Sequence, residues 1–180
     1  MNILGIHDGH NCGATLVKKG VIVASVCEER LSRNKNEVGY PRLSINDVLQ
    51  LGGISYDEID AVVFASLFMH SPEHLLDIAP WYRVGIEEQK RNAKQTDGYK
   101  KQIFDARKKE RISDVCLHLG LPESKISFIE HHTAHLTAAY YTAPTHYNEP
   151  VLGLTCDGSG DGISATVSIC RNNNIDRIAE

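Results

Sequence analysis

The densest group of metal-ligating side chains in the sequence lies in residues 130–135, which read Glu-His-His-Thr-Ala-His. If this segment is helical, His131 and His135 lie one turn apart on the same face, where both imidazoles can bind one divalent ion. His132 then points elsewhere, so we expect it to support the site or to lie at the surface. Asp157 follows where an apolar run opens into glycines, which is typical of a strand that delivers a carboxylate to a tight turn. Two histidines and one carboxylate predict most of a metal site.

Each of these residues also has a plainer interpretation. His131 and His135 could be a helix-capping residue and a buried, hydrogen-bonded histidine, and Asp157 could simply brace an Asp-Gly turn. We favour the metal site because the histidine pair and the downstream carboxylate together supply three ligands. Asp161, in the same glycine-rich stretch, is interpreted as a turn residue.

A second candidate group lies in residues 8–13, Asp-Gly-His-Asn-Cys-Gly, which separate two short apolar runs. His10 taken alone is equally compatible with a turn residue and with a functional group. Residues 28–36 are too polar for a core, and we expect a surface loop or a loop that faces a ligand. The charge run 107–111 contains both signs, so it is expected to form the solvated face of a helix.

The elements that must position these residues follow from the apolar periodicity. The pattern predicts a three-stranded meander, a helix with Ser44 as its cap, a strand, two or more exposed helices, a strand and the histidine helix. The expected ranges are 2–7, 14–18, 21–26, 44–51, 59–65, 71–120, 126–129 and 131 to before Pro144, with helix breaks near Pro80 and Gly98. This order is that of a ribonuclease-H-like α/β lobe.

The chain then repeats its opening pattern. Three short segments recur in order: Leu4-Gly5-Ile6 as Leu152-Gly153-Leu154, Asp8-Gly9 as Asp157-Gly158, and Ala14-Thr15-Leu16 as Ala165-Thr166-Val167. We therefore expect an internal duplication, with a first lobe in residues 1–148 and the first strands of a truncated second lobe in residues 149–180. Such a plan is that of the actin and sugar-kinase superfamily, in which glycine-rich turns hold phosphates through backbone N–H groups. The predicted nucleotide-binding residues are Gly9, Asn11, Gly158, Ser159 and Gly160.

Composition and charge restrict the classes of partner. The chain has 180 residues, 42% of them hydrophobic and 23% charged, which is ordinary usage for a globular domain. A net charge of -4 gives no electrostatic reason to expect nucleic acid or an anionic membrane as a partner. No stretch approaches the length needed to span a bilayer, and a cytoplasmic location is expected. The five cysteines contain no Cys-x-x-Cys pair, which argues against a disulfide framework or a thiolate zinc site.

Four segments, in the same order, carry a resemblance to a known family. They are residues 4–6 with 10–14, residues 28–35, residues 131–135 and residues 157–160. Over essentially its whole length, the sequence is similar to the N-terminal part of the O-carbamoyltransferases of the nodulation and antibiotic-biosynthesis type. Related lobes occur in the enzyme that places threonylcarbamoyl on tRNA adenosine.

The resemblance implies a two-domain enzyme. A C-terminal domain would convert carbamoyl phosphate and ATP into carbamoyladenylate, and the lobe in this chain would pass the carbamoyl group to a hydroxyl of a small-molecule acceptor. The resemblance also implies an iron-like divalent metal held by His131, His135 and Asp157, with one more aspartate ligand from chain beyond residue 180. His10 occupies the position of a histidine beside the carbamoyl group, and Asp8 is a candidate to share its catalytic task.

The leading hypothesis is therefore the N-terminal part of a metal-dependent carbamoyltransferase that is inactive alone. A non-catalytic nucleotide- or metal-binding module and a sugar-kinase-like phosphotransferase are the alternatives. The second alternative is weaker, because kinases rarely need a histidine pair on a helix. Three strands of a second lobe without covering helices would leave apolar faces and open edges, so we expect self-association into homo-oligomers.

Overall fold

The computed structural model describes residues 1–69, 72, 97–144, 149–172 and 174–180. Its strands, numbered in chain order over those residues, are β1 Asn2–His7, β2 Gly13–Lys18, β3 Val21–Cys27, β4 Ala61–Phe64, β5 Ile126–Phe128, β6 Val151–Gly160, β7 Ile163–Arg171 and β8 Asn174–Ala179. Its α-helices are α1 Glu28–Ser32, α2 Arg42–Gly52, α3 Asp97–Leu119 and α4 His131–Thr142. The predicted strands and the histidine helix are present, and α3 begins next to Gly98. The break predicted at Pro80 lies outside the described residues.

Five strands form the first sheet in the order β3-β2-β1-β4-β5. The pairs β1–β2 and β2–β3 are antiparallel, whereas β1 and β4 run parallel. The alternation along the strands buries Leu4 and Ile6 of β1 and Val62 and Phe64 of β4. This mixed order is the topology of a ribonuclease-H-like lobe, so the predicted α/β fold class is confirmed.

Helix α2 packs against β2 and β3 and is capped by a distant carboxylate. The two carboxylate oxygens of Glu28 accept the Leu43 N–H at 2.9 Å and the Ser44 N–H at 2.7 Å. The helix begins at Arg42, so the expectation that Ser44 caps it is wrong. Glu28 is itself buried and helical, and the expected surface loop is therefore wrong at this residue. A side chain that satisfies free N–H groups at a helix start contributes about 1 kcal/mol.

Helix α3 buries two of the arginines that the sequence placed on a solvated face. Arg107 and Arg111 are buried, while Lys108, Lys109 and Glu110 are exposed. Residues four apart lie on one side of a helix, so both arginines face the core. The expectation of a solvated face is correct for the intervening residues and wrong for these two.

Among the helices that the structure describes, none is both long and apolar enough to cross a membrane.

The second sheet consists of β6, β7 and β8 in sequential antiparallel order, the same order as β1 to β3. Helix α4 packs on β6 and β7, and its Leu136 and Tyr140 form a small core with Cys170. Gly153 is required there because a Cβ at that position would lie 2.4 Å from a methyl carbon of Leu136. The chain divides into two compact units. The first contains Met1–Phe64 and Phe68–Ser127, and the second contains Ala65–Leu67 and Phe128–Glu180. The histidine helix thus belongs with the second sheet, and the lobe boundary at 148/149 stays a prediction.

Candidate metal centre

Three metal-ligating atoms converge between α4 and β6. The Nε2 atom of His131 lies 2.8 Å from Oδ2 of Asp157 and 3.0 Å from Nε2 of His135. His135 Nε2 and Asp157 Oδ2 are 3.6 Å apart. Ligands about 2.1 Å from one ion lie about 3.0 Å apart at octahedral angles and about 3.4 Å apart at tetrahedral angles. The donor spacing and the donor types therefore fit one divalent ion, and metal binding by these three residues stays a prediction.

The carboxylate of Asp157 is oriented by its own backbone. Its Oδ1 atom accepts the Gly158 N–H at 2.6 Å, which leaves Oδ2 directed at the histidines. The hydrogen bond with His131, followed by the bond from Gly158, holds the pKa of the Asp157 carboxyl below its ordinary value. The side chain of His131 is 17% exposed, whereas that of His135 is 57% exposed. The three donor atoms are therefore shielded by protein near His131 and accessible to solvent near His135.

The start of α4 is fixed by a carboxylate that the sequence analysis did not select. Glu130 caps the helix and accepts the N–H groups of His132 and Thr133, each at 2.8 Å. Arg177 of β8 forms an ion pair with Glu130 and donates to the Thr133 hydroxyl. Burial alone would raise the pKa of Glu130, but the hydrogen bonds from His132, Thr133 and Arg177 lower it to about 2. These helix N–H groups are therefore satisfied internally and do not form a phosphate site.

Gly160 allows the hairpin formed by β6 and β7 to pass directly over the imidazole of His131. A Cβ at Gly160 would lie 2.0 Å from Cδ2 of that ring, so any larger residue would displace the histidine. Asp161 follows with a positive φ of 53° and turns the chain into β7. Its Oδ2 atom accepts the backbone N–H of His131 at 2.7 Å. The turn interpretation of Asp161 is correct but incomplete, because the side chain also binds the start of α4.

His132 is buried on the sheet side of α4 and does not belong to the donor set. Its Nε2 atom lies 2.9 Å from the carbonyl of Ile163, and its Nδ1 atom lies 2.8 Å from the Thr155 hydroxyl. A carbonyl only accepts, so Nε2 carries the hydrogen and Nδ1 accepts from Thr155. The surface alternative is wrong for His132, whereas the supporting role fits these contacts.

The glycine-rich turn after Asp157 leaves the regular strand ladder. Cα pairing between β6 and β7 is interrupted between Cys156 and Gly160. A Cβ at Gly158 would meet nothing within 4 Å, so the backbone there is open to a ligand. Gly158, Ser159 and Gly160 stay a prediction as nucleotide-binding residues.

The first turn places its two candidate catalytic residues differently. Asp8 is buried, and its Oδ1 atom accepts a hydrogen bond from Nη2 of Arg111 at 3.0 Å. Its Oδ2 atom lies 2.9 Å from Nε of the same arginine in an ion pair. Arg107 adds a nitrogen 3.5 Å from the same carboxylate. His10 is exposed at the tip of the turn, where its carbonyl accepts from Nε2 of His7 at 3.0 Å. Asp8 is thus held as an anchor and His10 is exposed, and a catalytic role for either residue stays a prediction.

The backbone of the first turn needs two of the predicted residues for steric reasons. A Cβ at Gly9 would lie 2.9 Å from Cε1 of His7, so a larger residue would displace that ring. Asn11 has a positive φ of 54°, a conformation that asparagine tolerates better than most residues. These contacts explain the residue types, and nucleotide binding by Gly9 and Asn11 stays a prediction.

The polar segment after β3 borders an open depression of about 370 Å³. It is lined by Glu29, Arg30, Arg33 and Lys35. Three cationic side chains and one carboxylate line it, and the choice between a ligand-facing and a solvated loop stays open.

The residues that sequence reasoning missed have weak local signals. Glu130 immediately precedes the histidine helix, where an acidic residue could have been tested as a cap. Arg177 carries no such signal, because its partner Glu130 lies 47 positions away in the chain. Both act by holding α4 in place and neither is among the donors.

Comparison with known protein families gives one match over nearly the whole chain. The family described as carbamoyltransferase N-terminus matches residues 2–178. Among solved structures, YeaZ from Pseudomonas aeruginosa matches with a TM-score of 0.47 and 11% identity, covering 100% of this chain and 67% of that chain.

Three curated proteins are similar in sequence. An uncharacterized protein of Methanocaldococcus jannaschii is 27% identical over 99% of this chain and 26% of its own length. An uncharacterized protein of Synechocystis sp. is 33% identical over 89% of this chain and 26% of its own length. The nodulation protein NolNO of Sinorhizobium fredii is 28% identical over 91% of this chain and 21% of its own length. The chain therefore spans about a quarter of the length of the curated relatives it matches.

Proposed function

This chain belongs to the carbamoyltransferase N-terminus family, and on that premise we propose that it is the metal-binding part of an enzyme that transfers a carbamoyl group to a hydroxyl of a small molecule. The observation that carries the proposal is the convergence of His131, His135 and Asp157 on one point. These residues come from two separate elements, α4 and β6, yet their donor atoms all lie within 4.8 Å of one another. The carbamoyl donor that we propose is carbamoyladenylate, formed from carbamoyl phosphate and ATP by another domain of the whole protein.

The donor set suits an iron-like divalent ion. Two histidines and one carboxylate on one side of a metal, with the remaining positions open, are typical of non-haem iron sites. A bound ion would supply positive charge for adenylate phosphate oxygens and for the carbonyl oxygen on which charge develops. Asp157 contributes by staying ionised, since its pKa is held below the ordinary value. The accessible side of His135 is where we propose that the ligand approaches.

The transfer step needs a proton acceptor and a fixed substrate. The acceptor hydroxyl loses its proton as its oxygen bonds to the carbamoyl carbon, and AMP leaves with the electrons of the broken C–O bond. We propose His10 as the residue that takes the proton or orients the carbamoyl group, because it is exposed on the first turn. Asp8 enters this proposal through its buried pair with Arg111, which holds the turn that carries His10.

The two glycine-rich turns are proposed to bind the nucleotide. In the second turn, the interruption of the ladder between Cys156 and Gly160 frees backbone groups from strand pairing. In the first, Asn11 adopts a left-handed conformation and is exposed on the turn. We propose Gly9, Asn11, Gly158, Ser159 and Gly160 as the residues in contact with phosphate oxygens. A cytoplasmic setting, where ATP and carbamoyl phosphate are available, is part of the same proposal.

Metal titration tests the proposal at its central point. The wild-type protein is expected to bind about one equivalent of Fe²⁺ or Co²⁺ per chain, and His135→Ala is expected to bind much more weakly. His118→Gln is a matched control, because His118 bonds Tyr40 and Asn46 and lies outside the donor set. Equal metal binding by the wild type and His135→Ala would contradict a metal site that includes His135. The isolated 180 residues are also expected not to turn over carbamoyl phosphate.

A further inference from the structure

The carboxylate of Asp161 connects three segments of the compact unit that contains α4. Its Oδ2 atom accepts the His131 N–H at 2.7 Å and the Leu67 N–H at 2.8 Å. Asp161 itself lies in the turn that joins β6 to β7, directly after Gly160. One side chain therefore ties the hairpin, the first residue of α4 and the segment Ala65–Leu67 together.

The same hairpin touches His131 at two further points. Asp157 hydrogen-bonds the Nε2 atom of its imidazole, and Gly160 lies against the ring so closely that no Cβ would fit. His131 is thus held by its backbone nitrogen, by its ring face and by its ring nitrogen. Of these three contacts, the bond that the His131 N–H donates to Asp161 is the one made by the backbone at the first residue of the helix.

We propose that Asp161 is a positioning residue for the metal centre: it sets the register between the hairpin that carries Asp157 and the helix that carries His131 and His135. This inference rests on the proposed metal site. The physical reason is that donor atoms from two elements meet only if those elements keep one relative position. A side-chain oxygen that accepts a backbone N–H at the helix start restrains that position more tightly than side-chain packing alone.

The backbone of Asp161 supplies a clean pair of test variants. Its φ of 53° is tolerated by glycine and by asparagine but strained for most other residues. Asp161→Gly removes the carboxylate and keeps the turn, whereas Asp161→Asn keeps an oxygen acceptor and keeps the turn. Ser164→Ala is a matched control on the same hairpin, because Ser164 is exposed on β7.

The experiment is a Co²⁺ titration of the full chain, followed by visible absorption, with circular dichroism to verify folding. Asp161→Gly is expected to lose affinity by about tenfold or more, the usual cost of removing an outer-shell contact, and to change the Co²⁺ absorption bands. Asp161→Asn and Ser164→Ala are expected to stay close to the wild type. The altered bands report ligand geometry, which a loss of stability alone would leave unchanged.

The outcomes separate this inference from the metal site itself. If the wild type fails to bind Co²⁺, both proposals are overturned. If the wild type binds, His135→Ala does not, and Asp161→Gly matches the wild type in affinity and spectrum, then only the positioning role is overturned. An equal loss in Asp161→Asn and Asp161→Gly would overturn the hydrogen-bond explanation. If Asp161→Gly fails to fold, hydrogen exchange of the His131 amide is measured in the wild-type protein instead. Rapid exchange would contradict the hydrogen bond that this amide donates to Asp161 and would overturn the positioning role.

Discussion

The imidazole of His131 and the carboxylate of Asp157 form a 2.8 Å hydrogen bond although they lie 26 positions apart in the chain. One residue begins a helix and the other directly follows the continuously paired part of a strand. The contact exists because α4 packs its Leu136 and Tyr140 onto the second sheet, which brings the end of β6 to the start of the helix. The candidate metal centre therefore depends on the packing of this one helix.

Asp157→Asn is expected to weaken Co²⁺ or Fe²⁺ binding by more than about 100-fold, because it removes the only anionic donor of the set. The change is nearly isosteric, so the hydrogen bond with His131 can persist and the fold is expected to remain. Isothermal titration calorimetry of the purified protein measures the effect directly.

The control for this prediction is Asp176→Asn, which neutralises an exposed aspartate on β8. Its metal affinity is expected to equal that of the wild type. A comparable loss in both variants would show that net charge, rather than ligation by Asp157, governs the affinity.

Arg111→Met is expected to destabilise the protein by about 3–5 kcal/mol, because it leaves the buried carboxylate of Asp8 without its main partner. The arginine also lies 4.4 Å from the ring centre of Phe64, and that contact would be partly kept by methionine. Urea denaturation followed by circular dichroism measures the change in the free energy of unfolding.

Two further variants give this prediction its control. Lys108→Met changes an exposed residue of the same helix and is expected to shift stability by less than about 0.5 kcal/mol. Asp8→Leu combined with Arg111→Met removes both members of the closest buried ion pair, while Arg107 keeps Glu110, and is expected to recover part of the loss. A double variant less stable than Arg111→Met alone would contradict the pairing.

Local periodicity was sufficient to predict the order of strands and helices along the chain and the shared face of His131 and His135. It failed where a polar side chain is buried by a partner far away in the chain. Arg111 and its partner Asp8 are separated by 103 positions, and no local pattern encodes such a pair. One usable signal was present: positions 107, 111, 115 and 119 are all buried on α3, so the apolar Val115 and Leu119 continue the line of the two arginines.

The same limit applies to the residues that hold the candidate site. Glu130 and Asp161 act through backbone N–H groups, and the identity of their partners depends on where α4 starts. The sequence predicted that start to within one residue, which is insufficient to assign individual hydrogen bonds. The candidate donor residues could be selected from their types and spacing, whereas the residues that orient them could be identified only from the fold.

Leu154→Glu is expected to reduce self-association of the chain. Leu152 and Leu154 are 62% and 68% exposed on β6, while their repeat counterparts Leu4 and Ile6 are buried beneath neighbouring elements. An uncovered apolar sheet face favours pairing with a second copy of the chain. Analytical ultracentrifugation over a wide concentration range is expected to show a shift toward monomer in the variant.

Leu51→Glu provides the comparison, since Leu51 is also 63% exposed but lies on α2. It is expected to associate as the wild type does. A wild-type protein that stays monomeric at all concentrations would contradict the proposed homo-oligomer.

His118 is expected to make the protein less stable at acidic pH. Burial, followed by the charge of Arg42, holds the pKa of His118 below 6.5, although Glu28 opposes the shift. The folded state therefore favours the neutral ring, whose Nδ1 accepts from the Tyr40 hydroxyl while Nε2 donates to Asn46. This stabilisation is complete above pH 6.5, the ordinary value, and is lost as the pH falls through the lowered pKa of the folded state.

Urea midpoints measured at neutral pH and at successively lower pH test this expectation. In His118→Gln the residue cannot titrate, so the decline in stability below pH 6.5 is expected to be shallower than in the wild type. Identical slopes in the wild type and His118→Gln would mean that other groups control the acid sensitivity, because a depressed histidine pKa must appear as a pH-dependent free energy of unfolding.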